Sequence, residues 1–397
     1  MGALQTRGLL DRSKRKTVRS LPVARSRCQR SSVHRVGPAR LHLARSNSAG
    51  PPHRTERAVT NIERPPTIRT VAERAGVSKS LVSLVLHDSP NVSDEKRAAV
   101  RAAIDELGYR PNLSARNLSR QRTDIVGVLI NDLRNPWFVD CLEGMAPVLE
   151  AHGLTMMLGD GRADRSGDDT VVRKFTELRL DALVLVGTRS PTPLVADATT
   201  SMPTVIVASR DLELPRADVV ANDDTAGSAL AVAHLAELGH RRIAHVAGSF
   251  GAVSALRADS YRAAMASRGL DTDGLVEPCD LTEDGGYEAA RRLLARTPRP
   301  TAVYAVNDIA AVGVMTACQE AGLAVPHDIS IVGYDNTSIA QLRHVSLTSV
   351  DNASASVGRR AATAVIDRIA RPTAAGTLDL IAPTLQVRGS TAPPAGT

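Results

Sequence analysis

The chain has 397 residues, of which 43% are hydrophobic and nine are aromatic, and its formal net charge is +7. That length predicts two or three folding units, and no run approaches the ~18 apolar residues of a membrane span. Four cysteines (Cys28, Cys141, Cys279 and Cys318) are scattered without a CxxC pair or a neighbouring His cluster. This pattern predicts reduced cytosolic thiols, with no zinc site and no cofactor.

The positive charge is concentrated at the N-terminal end. Residues 1–57 hold 14 Lys and Arg against 2 acids, a net +12. Residues 58–122 hold 11 against 7, a net +4, whereas residues 123–397 hold 24 against 33, a net −9. A basic end on an acidic body suits a protein that presents that end to phosphates.

Residues 1–63 are rich in Arg, Ser and Pro and show no apolar periodicity. They lack the apolar core of 7–15 residues that a secretory signal needs. Three interpretations fit: a disordered arm that adds nonspecific DNA affinity, a linker without function, or translation upstream of the true start. We favour the third, because Val59 can be read from an alternative start codon.

Residues 64–111 predict a helix-turn-helix. A short helix from Ile68 to Ala75 meets a turn at Gly76, which tolerates positive φ, and Ser78 can cap a second helix running to about Leu86. Apolar residues recur at helical spacing in both segments, so the two helices can share a small core. In such a unit the second helix lies in the major groove of DNA.

The same stretch resembles one family, the lactose-repressor type of bacterial transcriptional regulator. The segments that carry the resemblance are VAERAGVSKSLVS, NVSDEKRAAVRAAIDELGYRPN and ARNLSRQRT, and it continues to about residue 390. It implies a DNA-reading head, a hinge helix, and a two-lobed body like that of periplasmic binding proteins. The DNA contacts that it implies are Lys79, Ser80, Ser83, Leu84, Asn112, Ala115 and Leu118.

The second helix departs from the family pattern at two positions. The family most often has Thr-Val-Ser-Arg where this chain has Leu81-Val82-Ser83-Leu84. Leucine donates no hydrogen bond and can contact only a thymine methyl group or pack in a core. We therefore expect an altered base preference, with core packing as the alternative, which is stronger for Leu81 than for Leu84.

Residues 112–122 are predicted to form the hinge helix and linker. By the resemblance, Ala115 and Leu118 face the minor groove, where a leucine wedge kinks the duplex. So short a helix is marginal in isolation, and we expect it to order on DNA. An ordinary linker is the alternative.

Residues 123–390 predict an α/β body with parallel sheets. Near-continuous apolar runs at 125–130, 154–160, 182–187, 204–209, 218–223, 242–248, 302–308 and 329–335 alternate with helical segments. Such runs indicate parallel strands covered on both faces. We assign the first lobe to about 123–238 and 351–378, the second to about 239–350 and 379–390, and a tail to 391–397.

Ligands of such sheets bind beyond the carboxyl ends of the strands. Polar and aromatic residues follow these strands, and the resemblance places them in an effector pocket: Asn131, Trp137, Phe138, Arg257, Asn307 and Asp335. For the adjacent aromatic pair, core packing is the alternative. Asp308 is as well suited to hold its own loop as to contact the effector. Asp223 and Asp224 are expected to close a turn.

Together these features predict a cytoplasmic, nucleoid-associated transcriptional regulator, a repressor, controlled by a small polar effector that we expect to be a sugar. The tail after Arg388 has no heptad pattern, so we expect a homodimer on a pseudo-palindromic double-stranded operator, without membrane contact. No nucleophile elbow, P-loop or metal-ligand cluster supports an enzyme. A secreted solute-binding protein would need an export signal and no DNA head.

Overall fold

The computed structural model describes residues 66–110, 122–161, 165–187, 192–209, 214 and 216–395, and of 165–168 only the backbone. The proposed N-terminal extension and most of the hinge, including Asn112, Ala115 and Leu118, lie outside these residues.

The head consists of α1 (Ile68–Ala75), α2 (Lys79–Leu86) and α3 (Asp94–Leu107). Gly76 ends α1 with φ 65°, and the Ser78 hydroxyl accepts from the Leu81 amide at 3.2 Å to cap α2. Fully buried valines from all three helices meet in a small core. These contacts confirm the predicted helix-turn-helix.

The body begins with alternating strands and helices. They are β1 (Ile125–Ile130), α4 (Pro136–Ala151), β2 (Thr155–Asp160), α5 (Arg165–Glu177), β3 (Ala182–Val186), α6 (Pro193–Ser201), β4 (Thr204–Val207) and β5 (Asp218–Asn222). The chain continues through α7 (Asp224–Glu237), β6 (Ile243–Gly248), α8 (Ala252–Ala266), β7 (Val276–Cys279), α9 (Glu283–Leu294), β8 (Ala302–Ala305), α10 (Asp308–Glu320) and β9 (Ser330–Tyr334). It ends with β10 (Thr348–Asp351), α11 (Ser354–Ala370), β11 (Leu378–Ile381) and β12 (Thr384–Gln386).

These strands form two six-stranded sheets, which define the two lobes. The first has the order β11-β5-β4-β3-β1-β2 and is parallel throughout. The second has the order β12-β10-β9-β8-β6-β7, with β12 antiparallel to β10 and the other pairs parallel. Apolar clusters cover both faces of each sheet, which confirms the predicted α/β body.

The polypeptide crosses between the two lobes at positions that differ from the lobe boundaries we assigned. We placed α7 at the end of the first lobe, but its apolar face packs in the core of the second, with Tyr261 and Tyr304. We placed β11 in the second lobe, but it pairs with β5 in the first sheet. Residues we placed in the tail are also anchored, because Thr391 and Ala392 hydrogen-bond within the second lobe.

In the first lobe, α4 and α11 cross at very short distance because glycines stand at the contact. A Cβ built on Gly358 would lie 1.9 Å from the Cys141 carbonyl oxygen, and one on Gly144 would lie 2.1 Å from that of Ala355. The two helices therefore touch backbone to backbone. This contact ties the middle of α4 to the first turns of α11, which follows β10.

Candidate functional site

The outward face of α2 carries the predicted base contacts. Lys79 and Ser80 are exposed and Ser83 is half-buried. Leu84 is 42% exposed, whereas Leu81 is half-buried and packs against the head core. Leu81 therefore packs in the head core, as the alternative interpretation proposed, and Leu84 remains available to contact a base.

A second candidate site lies at the carboxyl ends of the strands of the two sheets. Asn131 follows β1, Asn307 follows β8 and Asp335 follows β9. Asn135 caps α4, accepting from the Trp137 amide at 3.0 Å, and thereby fixes the helix start that carries Trp137 and Phe138.

The two aromatic residues have different environments. Their rings meet edge to face with centroids 5.2 Å apart. Trp137 is only 5% exposed and belongs to the first-lobe core, so the core-packing alternative holds for it. Phe138 is half-buried, and its ring packs beside Gly187, whose carbonyl accepts from the Asn131 side chain.

Arg257 is buried among acidic and aromatic groups of the second lobe. Its Nε donates to Asp224 at 2.8 Å, its Nη1 to the Val306 carbonyl at 2.7 Å, and its guanidinium lies 3.6 Å above the Tyr334 ring. Its Nη2 is 3.6 Å from Asp335. Burial lowers the pKa of Arg257, but Asp224, Tyr334 and Asp335 outweigh it and hold that pKa above its ordinary value.

Asp335 contacts groups from both lobes. Asn352 donates to its Oδ1 at 2.9 Å, and the side chain of Asn135 in the first lobe lies near enough to lower its pKa. Burial raises the pKa of Asp335, while Arg257 and these two amides oppose the rise. The site therefore holds one arginine between two buried carboxylates, those of Asp224 and Asp335.

Asn307 lies at the same edge but its amide is engaged. Its Oδ1 accepts from the Ala310 amide at 2.8 Å, which caps α10, and its Nδ2 donates to the Leu281 carbonyl at 3.2 Å. Asp308 holds its neighbouring loop, as the structural alternative proposed, by accepting from Thr337 and Ser349.

The buried Asp308 carboxyl predicts a pH dependence of stability. Burial raises the pKa of Asp308 to about 7, Asp335 adds to the rise, and bonds from Ser349 and Thr337 oppose it. A folded pKa above the unfolded value of ~3.9 means that the native state binds the extra proton. This carboxyl's contribution to stability is thus complete below the unfolded pKa and is lost as pH rises through about 7.

Asp308→Asn should remove this dependence of stability on pH. Between pH 4 and 7.5 the melting temperature of the variant is expected to rise relative to that of the wild type. Paired thermal scans across this range measure the effect, with Asp328→Asn, an exposed carboxylate, as the control. A constant difference between wild type and Asp308→Asn would contradict the prediction.

Sequence reasoning missed two members of the site. Asp223 caps α7 as expected, accepting from the Ala226 amide at 3.0 Å, but Asp224 pairs with Arg257 instead of closing a turn. Asn352, which bridges Asp335 and Trp137, was not singled out. The strand-end rule would have pointed to Asn352, which lies just after β10, but this short strand was not predicted.

A pocket of about 390 Å³ lies elsewhere, between α11 and β11. Its arginines are all paired: Arg368 with Asp218, Arg360 with Asp379, and Arg371 with Asp367. We place the candidate site at the strand ends, because groups from both lobes converge there. Within the part of the chain that the structure describes, no cluster of His, Cys, Asp or Glu could hold a metal ion, and no helix is long and apolar enough to cross a membrane.

Comparison with known families agrees with both parts of this architecture. Residues 67–112 match the model of bacterial regulatory proteins of the lacI family, and residues 232–391 match the periplasmic binding protein-like domain. The ribose operon repressor of Escherichia coli (strain K12) is 33% identical over 328 residues, which cover 82% of this chain and 99% of the relative. The chain belongs to the lacI family.

Solved structures of lacI-family proteins extend the match. The lac repressor dimer bound to operator and the anti-inducer ONPF superposes with a TM-score of 0.75 at 26% identity, covering 83% of this chain and 100% of that one. The CelR–cellobiose complex gives a TM-score of 0.63 at 29% identity, covering 82% and 99%. The lacI-family head and two-lobed body are thus both present in this chain.

Proposed function

We propose that this chain is a sequence-specific DNA-binding transcriptional repressor whose operator affinity is controlled by a small polar effector, a sugar, bound between its two lobes. The observation that carries the proposal is one chain with an exposed recognition helix and a polar site at the strand ends, matched along 99% of the length of a ribose operon repressor. A protein that acts on an operator works in the cytoplasm.

The charges at the site favour a neutral effector. The positive charge of Arg257 is already balanced by Asp224 and Asp335, so an anionic ligand would meet no free cation from this arginine. Hydroxyl groups can donate to the Asp335 carboxylate without adding charge. The half-buried Phe138 ring offers an apolar face to the C–H face of a sugar. One relative is named for the ribose operon, and one similar structure is a complex with cellobiose.

Control of DNA binding requires that the effector distinguish two conformations. A ligand shifts the equilibrium only as far as its affinities for the two states differ, so it can release the operator or promote its binding. Two heads on a homodimer read two half-sites related by the protein's own symmetry. We assign Asn112, Ala115 and Leu118 to the hinge that links operator and body.

A thermal-shift screen of the full chain tests the effector class. Neutral sugars, including D-ribose and cellobiose, are expected to raise the melting temperature, because a ligand that binds only the native state stabilises it. Nucleosides, sugar phosphates and small carboxylic acids form the comparison set. A shift confined to the anionic compounds would reject the proposed effector class.

Leu84 is expected to select thymine at one operator position. An exposed leucine can contact the thymine C5-methyl group, whereas arginine pairs bidentately with guanine, a discrimination of about 1–3 kcal/mol. Binding-site selection from randomised DNA should therefore shift from thymine to guanine at that position in Leu84→Arg.

Two controls define this contact. Replacing the thymine with uracil removes only the methyl group and should weaken wild-type binding, while leaving Leu84→Arg unaffected. Leu81→Met, at a half-buried position that packs in the head core, should keep the wild-type base preference. An unchanged preference in Leu84→Arg would show that Leu84 does not read a base.

A further inference from the structure

Asn352 lies where the chain passes from the second lobe to the first. It follows β10 of the second sheet and precedes α11, which packs on the first sheet, and it is 1% exposed. Its backbone carbonyl accepts from the side chain of Asn222, at the end of β5. The position of its backbone is therefore fixed.

The side-chain amide of Asn352 joins two groups of opposite hydrogen-bonding character. Its Oδ1 accepts from the indole Nε1 of Trp137 at 2.9 Å, and its Nδ2 donates to Oδ1 of Asp335 at 2.9 Å. An indole N–H can only donate and an ionised carboxylate can only accept. A bridge between them therefore needs an acceptor and a donor held on one rigid group, which a primary amide supplies.

The two ends of this bridge belong to different lobes. Trp137 is an anchored core residue at the start of α4 in the first lobe. Asp335 follows β9 in the second lobe, in the left-handed region with φ 97°. That conformation is unfavourable for a residue with a side chain and persists only where surrounding contacts enforce it. Asn352 and Arg257 supply such contacts.

We propose that Asn352 is a positioning residue of the effector site, which orients the Asp335 carboxylate by tying it to Trp137. An effector hydroxyl that donates to Asp335 then changes the hydrogen bond at Trp137 through the same amide. The inference rests on the proposed function, because it assigns Asp335 to the effector, but the bridge itself is testable without one.

Trp137 is the only tryptophan of the chain, so intrinsic fluorescence reports on one end of the bridge. Asn352→Leu removes both hydrogen bonds at similar volume and should shift the emission to shorter wavelength. Asn352→Asp keeps an acceptor for the indole, but it sets a second carboxyl against Asp335, and two carboxylates this close cannot both ionise. Its emission should therefore shift less than that of Asn352→Leu. Asp335→Ala should change the emission in the wild-type background but not in the Asn352→Leu background.

Binding of D-ribose, followed by calorimetry and by Trp137 emission, tests the effector role on the full chain. Both Asn352 variants should bind ribose at least about tenfold more weakly, the loss expected for a hydrogen bond to a charged group. Asn336→Asp is the matched control, because this amide bridges Asp351 and Arg388 within the second lobe alone. Its ribose affinity should stay within about twofold of the wild type.

The outcomes separate the inference from the proposed function. An equal emission change for Asp335→Ala with and without Asn352, or wild-type ribose affinity in Asn352→Leu, would overturn the positioning role. Emission coupling that survives in a protein stabilised by no neutral sugar would support the bridge and reject the proposed function. Circular dichroism of each variant identifies any that fail to fold. Asn352→Gln keeps a primary amide at this position, so the Trp137 emission of that variant should again respond to Asp335→Ala.

Discussion

Replacing Arg257 with alanine is expected to destabilise the protein by about 3–5 kcal/mol at neutral pH, the usual cost of leaving a buried charge without its partner. The variant keeps Asp224 and Asp335 buried but removes the cation between them. It also leaves the Val306 carbonyl without its donor and exposes the Tyr334 ring. Urea unfolding, followed by circular dichroism, measures the loss.

The deficit should depend on pH. Burial raises the pKa of Asp335, and without Arg257 the largest group that opposes this rise is lost, so that pKa rises further. Stability of the variant is then lost as pH rises through the folded pKa of Asp335, so the deficit should be smaller at pH 5 than at pH 7.5.

Arg262→Ala is the matched control for this experiment. Arg262 lies on the same helix and pairs with Asp259 at 2.9 Å, but both side chains are at least half exposed. An exposed pair of this kind contributes about 0–1 kcal/mol. Equal losses in the two variants would show that the Arg257 cluster is not a compensated buried charge.

Gly358→Val is expected to destabilise the first lobe by about 3 kcal/mol or more, at or beyond the upper end of ordinary overpacking. The new side chain would meet the backbone of α4, not the end of a flexible side chain, since its Cβ position lies 1.9 Å from the Cys141 carbonyl oxygen. Relief requires α4 and α11 to separate, which would displace Trp137 from Asn352.

The same variant should therefore alter Trp137 emission as well as stability. Thr363→Val, on the exposed side of α11, changes a side chain of similar shape without touching α4 and should leave both quantities within experimental error. Wild-type stability in Gly358→Val would contradict the backbone contact between the two helices.

The sequence predicted those parts of the fold that have a local signal. Gly76 and Ser78 identified the turn of the head because each has a backbone requirement that other residues meet poorly. All eight predicted strands are present. Seven of them are largely buried, and strands buried on both faces are continuous apolar runs, whereas β2 lies at a sheet edge and is largely exposed. The strands β7, β10, β11 and β12 were missed since they are short and carry polar or exposed residues.

Features that depend on distant partners had no such signal. The apolar face of α7 shows that it packs on a sheet but not which one, and it covers the second. The strand-end rule and the family resemblance brought Arg257 and Asp335 to one site, and the structure places them 3.6 Å apart. The bond between Trp137 and Asn352 spans 215 positions of the chain, and no local pattern marks it.

The repeated crossing of the polypeptide between the two lobes has a consequence for synthesis of the protein. The first sheet is completed by β11, and the second by β12 and by the segment around Ser390, which hydrogen-bonds Ile331 and Thr348. The edges of β5 in the first lobe and of β10 in the second therefore stay unpaired until residues 378–392 have left the ribosome. The nascent chain is exposed to aggregation at both edges until then, and fragments divided near residue 223 cannot each form a complete sheet.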